Sequence, residues 1–521
     1  MDLFTNLDLF RVITTYTDLR SLCDTCVLLL TFKQYITYLF NNEYSLMYFN
    51  DILFRQRVLN KIANPHKQLH LDLSYLKNDD NSSTIIDISA LGNVHMLDLS
   101  RSDVADVSGL DNIHTLNLMR CKKITDVSVL RNVHTLYLNC CDNITDVSVL
   151  GNVYKLSLSN CDNITDVSTL GKVHTLDLSY CKNITDVSAL GNVHTLDLTD
   201  CNKITDVSAL GNVHTLKLGY CNITNVSALR NVYELDLKFC KQITDVSALG
   251  KVHNLYLTDC NITDVSALGN VHTLWLLDCK NITDVSALGN VHTLCLTGCD
   301  NITDVSELGK VHSLNLFRCK LITDVSKLGN VHTLNLTNCT KITDVSALGN
   351  VHTLCLDGCY NIKDISALGN VYELDLTDCK KITDFSPLKN VHTLNLSKCD
   401  IIDVSVLRNV HTLDLSQCKK ISDVSTLGNV YDLDLGCCNI TDVSALGNVH
   451  TLRLSNCDNI TDVSSLGNVY ELNLSHCNNI VDVSALGNVY KLDLIYCDKI
   501  NDVTALKNVH KLYLPYRLYN K

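Results

Sequence analysis

The sequence of 521 residues has no run of basic residues and no apolar stretch long enough to cross a membrane. Its formal net charge of −13 is spread evenly along the chain, which argues against nucleic acid and anionic membranes as partners. The first residues, Met1-Asp2-Leu3, are acidic where a signal peptide is basic. We therefore expect the protein to remain inside the cell, in a reducing compartment such as the cytoplasm.

The sequence also lacks a set of catalytic residues that stands apart from its repeats. We find no isolated Ser/His/Asp constellation, phosphate-binding loop or metal-ligand spacing. The pair Asp186 and Ser188 recurs in nearly every copy of the repeat, as at Asp206 and Ser208, whereas an enzyme needs one assembled site. We therefore predict a protein that is not an enzyme, with no cofactor and no metal, in which these pairs cap a short segment.

Repetition is what the sequence has in abundance. Near copies of residues 181–200, CKNITDVSALGNVHTLDLTD, follow one another at steps of 20 or 19 residues from about Leu97 onward. Apolar residues lie three apart from Cys181 to Val193, and then two apart at Leu196 and Leu198. A spacing of two predicts a short strand, and a spacing near three predicts a 3₁₀-like return segment. A single copy cannot bury its apolar face alone, so we predict a stacked solenoid.

The motif Val193-x-x-Leu196-x-Leu198-x-x-Cys201 resembles the core of the leucine-rich repeat, with Cys where many repeats carry Asn. The Ile-Thr-Asp-Val-Ser-x-Leu return is similar to the short internalin-type unit, and Cys-x-x-Ile-Thr-Asp to the cysteine-containing repeats of F-box proteins. The near-identical copies resemble the repeat families of giant viruses, which would place the protein in host cytoplasm. The resemblance implies an α/β repeat solenoid: a horseshoe or arc with one long parallel sheet on the inner face, 3₁₀ or irregular return segments and a small helical N-terminal cap.

The chain divides into three parts by its sequence pattern. Residues 1–66 do not repeat, residues 67–514 hold about 23 repeats, and residues 515–521 form a polar tail. We expect Leu71 and Leu73 to mark the first strand. Pro515 ends the stack, because proline cannot donate a hydrogen bond to a continuing sheet.

Residues 1–66 carry apolar residues at helical spacing and predict three short helices. Their apolar faces consist of Leu3, Leu7, Phe10 and Ile13; of Leu19, Leu22, Cys26 and Leu29; and of Leu46, Phe49 and Leu53.

The run of residues 9–33 resembles a degenerate F-box, a family that docks on a Skp-type adaptor of cullin–RING ubiquitin ligases. The usual Leu-Pro start and the later Val-Cys-Lys-x-Trp block are missing from it. The alternative is a helical cap on the first repeat, because solenoid ends need covers. The resemblance implies adaptor docking through Leu9, Phe10, Ile13, Leu19 and Leu22.

Two further positions recur in almost every copy. Cys181 and its equivalents, from Cys121 to Cys497, predict a ladder of small buried thiols that face the turn backbone, rather than disulfides or metal ligands. His194 and its equivalents form a second ladder, in which tyrosine takes the position in some copies, as at Tyr154. Tyrosine is a poor zinc ligand, so we expect stacked flat rings at the entrance of the strands.

The outward strand positions differ most between copies. They are usually Asp, Asn, Ser or Thr, but a group of aromatic and apolar residues with acidic neighbours interrupts this pattern. Aromatic anchors in a polar rim are typical of protein-binding surfaces, whereas scattered drift would leave single apolar residues on a solvated face. The predicted partner-binding residues are Tyr220, Phe239, Tyr256, Trp275, Leu277, Phe317 and Arg318.

These features predict a protein–protein interaction scaffold that binds a protein partner on the inner face of its sheet. The F-box resemblance adds the hypothesis of a substrate adaptor of a ubiquitin ligase, with a Skp-type adaptor as a further partner. The alternative is a structural or decoy repeat protein with no link to ubiquitin. Binding of a Skp-type adaptor by residues 1–66 would distinguish the two.

Overall fold

A computed structural model describes residues 36–62, 67–75, 88, 91–92 and 94–518 of the chain. The chain separates into two compact units, Met1–Leu255 and Tyr256–Lys521. From Met96 onward, both units repeat the same turn of 20 or 19 residues, in which a strand of three residues is followed by a tight bend and a return segment. Most return segments contain a short 3₁₀ helix.

In the first unit, strands β1 to β10 each pair in parallel with the next strand along the chain. Their bounds are β1 Ile36–Phe40, β2 Lys67–Asp72, β3 Met96–Asp98, β4 Thr115–Asn117, β5 Thr135–Tyr137, β6 Lys155–Ser157, β7 Thr175–Asp177, β8 Thr195–Asp197, β9 Thr215–Lys217 and β10 Glu234–Asp236, and β11 Asn254–Tyr256 contains the unit boundary.

In the second unit, strands β12 to β24 pair in parallel in the same sequential way. Their bounds are β12 Thr273–Trp275, β13 Thr293–Cys295, β14 Ser313–Asn315, β15 Thr333–Asn335, β16 Thr353–Cys355, β17 Glu373–Asp375, β18 Thr393–Asn395, β19 Thr412–Asp414, β20 Asp432–Asp434, β21 Thr451–Arg453, β22 Glu471–Asn473, β23 Lys491–Asp493 and β24 Lys511–Tyr513.

The 3₁₀ helices are three to five residues long, and most of them begin at the serine of the Asp-Val-Ser segment of the repeat. In the first unit they are Ser128–Asn132, Ser148–Asn152, Leu170–Lys172, Ser188–Asn192, Ser208–Asn212, Ser227–Asn231 and Ser247–Leu249. In the second unit they are Ser266–Leu268, Ser286–Asn290, Ser306–Lys310, Ser346–Leu348, Ser366–Asn370, Ser386–Asn390, Ser405–Leu407, Ser444–Leu446, Ser464–Asn468, Ser484–Asn488, Thr504–Asn508 and Tyr516–Leu518.

The register of the strands stacks identical side chains. Leu196 at the centre of β8 stands opposite Leu176 and Leu216 at the centres of its neighbours. The apolar residues of the turn, from Cys181 to Leu198, are all almost fully buried. Each turn therefore covers the apolar face of the next, and the predicted repeat solenoid with parallel strands and 3₁₀ return segments is confirmed in both units.

Residues 36–62 differ from the sequence prediction in two ways. A strand, β1, precedes the strand that contains Leu71, because Ile36–Phe40 is rich in β-branched and aromatic residues and pairs with β2. The prediction that Leu71 marks the first strand is therefore wrong. The helices predicted over residues 3–13 and 19–29, including the candidate adaptor-docking residues, lie outside the described residues.

The third predicted helix is divided into α1, Asn42–Asn50, and α2, Ile52–Ile62. Asp51 separates them, because its side chain accepts the N–H groups of Leu53 and Phe54 at 2.8 and 3.0 Å and so caps α2. This break rotates the buried face, so that Phe54 is buried while Leu53 is exposed. The single apolar face predicted through Leu53 is therefore wrong.

The C-terminal residues that the structure describes also differ from a purely polar tail. After Pro515, Tyr516–Leu518 forms a 3₁₀ turn in which Leu518 is buried. The guanidinium of Arg517 donates hydrogen bonds to the backbone oxygens of Asp498 and Ile500. The segment therefore packs against the preceding turn.

Candidate functional site

The residue between the two leucines of each turn occupies what we call the strand-face position, which is half-buried in most turns and buried at Ser157 and Cys295. In most turns this residue is Asp or Asn, and its Oδ1 accepts the N–H of the residue two further on. The Asp197 carboxylate accepts from Thr199 at 3.0 Å, and the Asn335 amide oxygen accepts from Thr337 at 2.9 Å. This local bond closes the bend after the strand, so these residues have a structural role that the sequence analysis missed.

Single strands or pairs of strands depart from this rule at β5 and β6, β9, β16, β21 and β24, and the longest departure is the run of three strands β11, β12 and β13. Their strand-face residues are Tyr256, Trp275 and Cys295, none of which has a carboxylate or amide oxygen. The rule returns at Asn315, which accepts the N–H of Phe317 at 2.9 Å. Each exception gives up a turn-closing hydrogen bond of about 1 kcal/mol. These three residues therefore do not serve the closing of the bend, and of the three Trp275 is the most exposed.

Tyr256 and Trp275 lie side by side in the second unit. Their ring centroids are 5.5 Å apart and their planes meet at 77°, an edge-to-face arrangement that aromatic pairs favour. Trp275 is 38% exposed, whereas Leu274 and Leu276 on either side of it are buried. The strand register therefore turns this indole away from the core, and a partner could cover it without disturbing the leucine column.

The other predicted site residues of the second unit surround this pair along the chain. Leu277 is half-buried and immediately follows the β12 core leucine, and Phe317 has the same position two turns later. The Arg318 guanidinium lies 5.4 Å from the centroid of the Phe317 ring, a cation–π contact. Arg318 is exposed, so its charge contributes a basic flank to the surface.

Tyr220 and Phe239 form a separate pair in the first unit. Their rings stack with centroids 4.5 Å apart and an interplanar angle of 13°. Both occupy the residue before the ladder cysteine, which we call the turn position, where the backbone φ is positive: 64° at Tyr220 and 61° at Phe239. Tyr220 is 50% exposed. Sequence reasoning found the residues but not their stacking at the bend.

The cysteine ladder is buried, as predicted, and its thiols are free among the described residues. Cys181 Sγ donates to the backbone oxygen of Leu158 in the preceding turn at 3.2 Å, and the same bond recurs in neighbouring turns. Burial raises the pKa of the Cys181 thiol to about 12. These thiols are therefore protonated hydrogen-bond donors that satisfy buried carbonyl groups, and they are unsuited to nucleophilic chemistry.

The histidine ladder is a column of stacked rings in each unit, as predicted. His174, His194 and His214 follow one another with centroids 4.6 Å apart. Desolvation, together with the neighbouring imidazoles, lowers the pKa of His194. Burial is greater at His70 and lowers its pKa to about 4. The imidazoles of His214 and His174 therefore disfavour protonation of His194.

The type of residue that follows each ring of this column differs between histidine and tyrosine. His194 Nδ1 and Thr195 Oγ1 share a hydrogen bond of 3.3 Å, and threonine follows most histidines of the column. A charged residue follows each tyrosine of the column instead, and the tyrosine ring has no nitrogen that could bond a threonine hydroxyl. This pairing was visible in the sequence but was not read from it. The tyrosine pairs are Tyr154–Lys155, Tyr233–Glu234, Tyr372–Glu373, Tyr431–Asp432, Tyr470–Glu471 and Tyr490–Lys491.

The repeated Asp–Ser pairs have the capping role that their spacing predicted. The Asp186 Oδ1 accepts the N–H of Ser188, the first residue of a 3₁₀ helix, at 2.8 Å. The backbone and side-chain groups of Ser188 lower the pKa of this carboxyl. The bond thus belongs to the fold of every turn rather than to a catalytic site.

The described residues contain no group of three or more His, Cys, Asp or Glu side chains arranged to hold a metal ion. None of the helices in the described part of the chain has the length and apolar character that membrane crossing requires.

Parallel strands of three residues, leucines in fixed register and 3₁₀ return segments define the fold as a leucine-rich repeat solenoid. No protein-family model matches the chain, and no curated protein does. Similar solved structures include an internalin, InlF, from Listeria monocytogenes (19% identity, 79% of this chain and 93% of that chain, TM-score 0.27) and the leucine-rich repeat protein LIC12759 from Leptospira interrogans (18%, 66% and 96%, 0.41). A functional domain of InlJ from Listeria monocytogenes, which includes a cysteine ladder, is also similar (21%, 74% and 74%, 0.34). These are likenesses of fold.

Proposed function

We propose that this protein is a protein–protein interaction scaffold whose partner docks around Trp275 on the strand face of the second unit. The observation that carries the proposal is the loss of the turn-closing Asp or Asn in β11, β12 and β13. At Tyr256, Trp275 and Cys295 the structural residue is absent in successive turns, and the largest side chain that replaces it is exposed.

The physical basis of binding is the desolvation of Trp275. Large aromatic side chains that become fully buried at the centre of an interface contribute most to affinity, while polar residues at the rim exclude water. Tyr256 and Leu277 extend the apolar area, and Phe317 with Arg318 adds a further contact two turns away. We propose the stacked pair Tyr220 and Phe239 as a separate aromatic contact surface of the first unit.

Two finer hypotheses go with this proposal. The first is that the scaffold delivers its partner to a ubiquitin ligase through a Skp-type adaptor bound by residues 1–66, and it rests on the F-box resemblance. The second is the alternative of a structural or decoy repeat protein. It draws support from the many turns whose strand-face Asp or Asn serves only the fold, as at Asp197.

We expect Trp275→Ala to weaken binding about 30-fold or more, because truncating a central aromatic anchor costs about 2 kcal/mol or more. The assay uses peptide ligands selected by display on the full-length protein, with Kd measured by titration calorimetry. Tyr137→Ala is the matched control, because Tyr137 is an aromatic strand-face residue in the first unit.

We expect Trp275→Ala to keep the circular dichroism spectrum of the wild type, since Trp275 points away from the leucine column. Equal affinity of Trp275→Ala and wild type for every selected peptide would contradict the proposed site. Loss of folded structure in Trp275→Ala would contradict the assigned orientation of the strand. A loss of affinity in Tyr137→Ala as large as that in Trp275→Ala would show that binding is not specific to this surface.

A further inference from the structure

Several aromatic rings of this protein have a cation of the same chain over them. In the first unit, the Lys155 ammonium lies 5.5 Å from the centroid of the Tyr137 ring, and the Arg101 guanidinium lies 5.0 Å from the Tyr75 ring. In the second unit, Arg318 covers Phe317. Cation–π attraction of this kind is strongest with tryptophan. Of these contacts, the one between Lys155 and Tyr137 involves a strand-face ring, the position that Trp275 also occupies.

The strand register explains the contact of Lys155 with Tyr137. Lys155 is the first residue of β6, and Tyr137 is the last residue of the adjacent strand β5. In the equivalent register of β12 and β13, Trp275 pairs with Cys295, and Thr293 takes the diagonal position that Lys155 takes relative to Tyr137. Threonine has no charge, and no cation of the described part of the chain lies over Trp275. Trp275, the ring type that binds a cation most strongly, therefore has no cation of the described residues over it.

A carboxylate lies close along the chain to the same ring. Asp278 is exposed, occupies the turn position three residues after Trp275 and forms no ion pair among the described residues. The next turn has glycine there: a Cβ on Gly298 would lie 2.5 Å from Asp278 Oδ1. Gly298 therefore leaves room for the Asp278 carboxylate over the adjacent turn. Trp275 and Asp278 together offer a π face and a negative charge.

We infer that the partner places a lysine or arginine side chain over the Trp275 ring, with its charge directed toward Asp278. This inference rests on the proposed function and names the chemistry of its partner: an apolar segment with a basic residue. Charge complementarity favours it, because the exposed part of the Trp275 ring and the Asp278 carboxylate both attract a cation. Arginine fits best, since its planar guanidinium stacks on an indole and can donate to a carboxylate.

The register supplies an intramolecular competitor for this cation. Thr293→Lys places an ammonium beside Trp275 in the way that Lys155 stands beside Tyr137, and it should block a basic side chain of the partner. Thr293→Gln is the matched control, because it adds comparable length without charge. We expect Thr293→Lys to weaken binding about 10-fold relative to Thr293→Gln.

The experiment uses the peptides selected on the full-length protein, synthesised with arginine and with citrulline, its uncharged isostere. Because Trp275 is the one tryptophan of the sequence, its fluorescence reports binding at the site. We expect peptides that lose affinity in Trp275→Ala to be rich in Arg or Lys. Citrulline should weaken their binding about 5- to 30-fold, since a cation–π contact contributes about 1–2 kcal/mol.

The outcomes separate the inference from the function on which it rests. Peptides that depend on Trp275 but contain no basic residue, or bind equally well with citrulline, would overturn the inference and leave the proposed site in place. Equal weakening by Thr293→Lys and Thr293→Gln would also overturn it. If no selected peptide depends on Trp275, the proposed site itself is wrong, and the inference fails with it.

Discussion

At the scale of single residues, the turn position combines a backbone cost with a hydrogen-bond gain. Asp200 has a φ of 60° and Gln417 a φ of 61°, values that cost a residue with a side chain about 1 kcal/mol. In return, the Asp200 N–H donates to the backbone oxygen of Gly219 in the next turn at 2.8 Å. Gly298 and Gly358 hold the same conformation without this cost.

Gln417→Gly should therefore stabilise the protein by about 0.5–1 kcal/mol, because glycine adopts positive φ without a steric penalty. Gln417 is exposed, so its side chain contributes little packing. The measurement is the midpoint of urea unfolding.

Gln417→Ala provides the comparison, because it shortens the side chain and keeps the strain. A midpoint for Gln417→Gly at or below that of Gln417→Ala would show that the strain at this position is negligible.

At the scale of elements, the column of rings couples neighbouring strands to pH. The N–H of Thr195, the first residue of β8, donates to the backbone oxygen of His174 at 3.0 Å. This hydrogen bond connects the start of the strand to a residue of the ring column. The folded pKa of His194 lies below its unfolded value. Its stabilising contribution is then complete above about pH 6.5, the unfolded histidine value, and falls as the pH drops below it.

We expect the amides around β8 to lose protection from hydrogen exchange between pH 7.5 and pH 5.5, after correction for intrinsic exchange rates. His194→Tyr should keep more of this protection, because tyrosine occupies the same position at Tyr154 and does not gain a proton in this range. Mass spectrometry of peptides that cover residues 190–215 provides the readout.

Unchanged protection in the wild type across this pH range would show that the rings titrate independently. The same loss in wild type and His194→Tyr would assign the effect to another group.

The elements also show what a sequence of this kind can predict. A spacing of two at Leu196 and Leu198 allows only a strand, and copies in register place each leucine on its equivalent, so the core followed from the pattern. The break at Asp51 did not, because both halves of that helix carry apolar residues and the cap depends on three-dimensional geometry. The structural role of Asp197 was missed because Asp is also an ordinary surface residue.

At the scale of the whole molecule, a carboxylate caps the return segment in turn after turn. Hydrogen bonds from Ser188 lower the pKa of Asp186, and those from Ser286 do the same for Asp284. The folded state then favours the ionised form, so the stability that it contributes is present above about pH 4 and is lost as the pH falls through the lowered folded pKa. Small contributions add up because the bond recurs in most turns.

Replacing these aspartates by asparagine in successive turns should reduce the loss of stability between pH 4.5 and pH 2.5. The chain contains a precedent, since Asn225 accepts the N–H of Ser227 at 2.9 Å in the same position. Asparagine keeps this bond but does not titrate. Urea midpoints at both pH values, measured for wild type and for a variant with Asn at positions 186 and 206, check the prediction.

The prediction is contradicted if the urea midpoint changes between the two pH values by the same amount in wild type and variant.

The near-identity of the turns made the fold easy to predict from the sequence. The same near-identity allowed only part of the candidate site to be predicted. Identical turns make every departure visible, which drew attention to Trp275. The meaning of a departure depends on what the usual residue does, and the hydrogen bond of Asn335 to Thr337 is visible only in the structure. Sequence alone therefore located Trp275 but could not show that its neighbours Tyr256 and Cys295 interrupt a structural pattern.

The hydrogen bond at the strand-face position has a consequence for how such a molecule changes over time. Because the bond joins two residues of one turn, its loss weakens that turn by about 1 kcal/mol and leaves the others intact. A chain with many equivalent turns tolerates such a local loss. New recognition surfaces can therefore arise by single replacements, one turn after another. The remaining copies preserve the solenoid, and their strand-face positions stay available for later replacements.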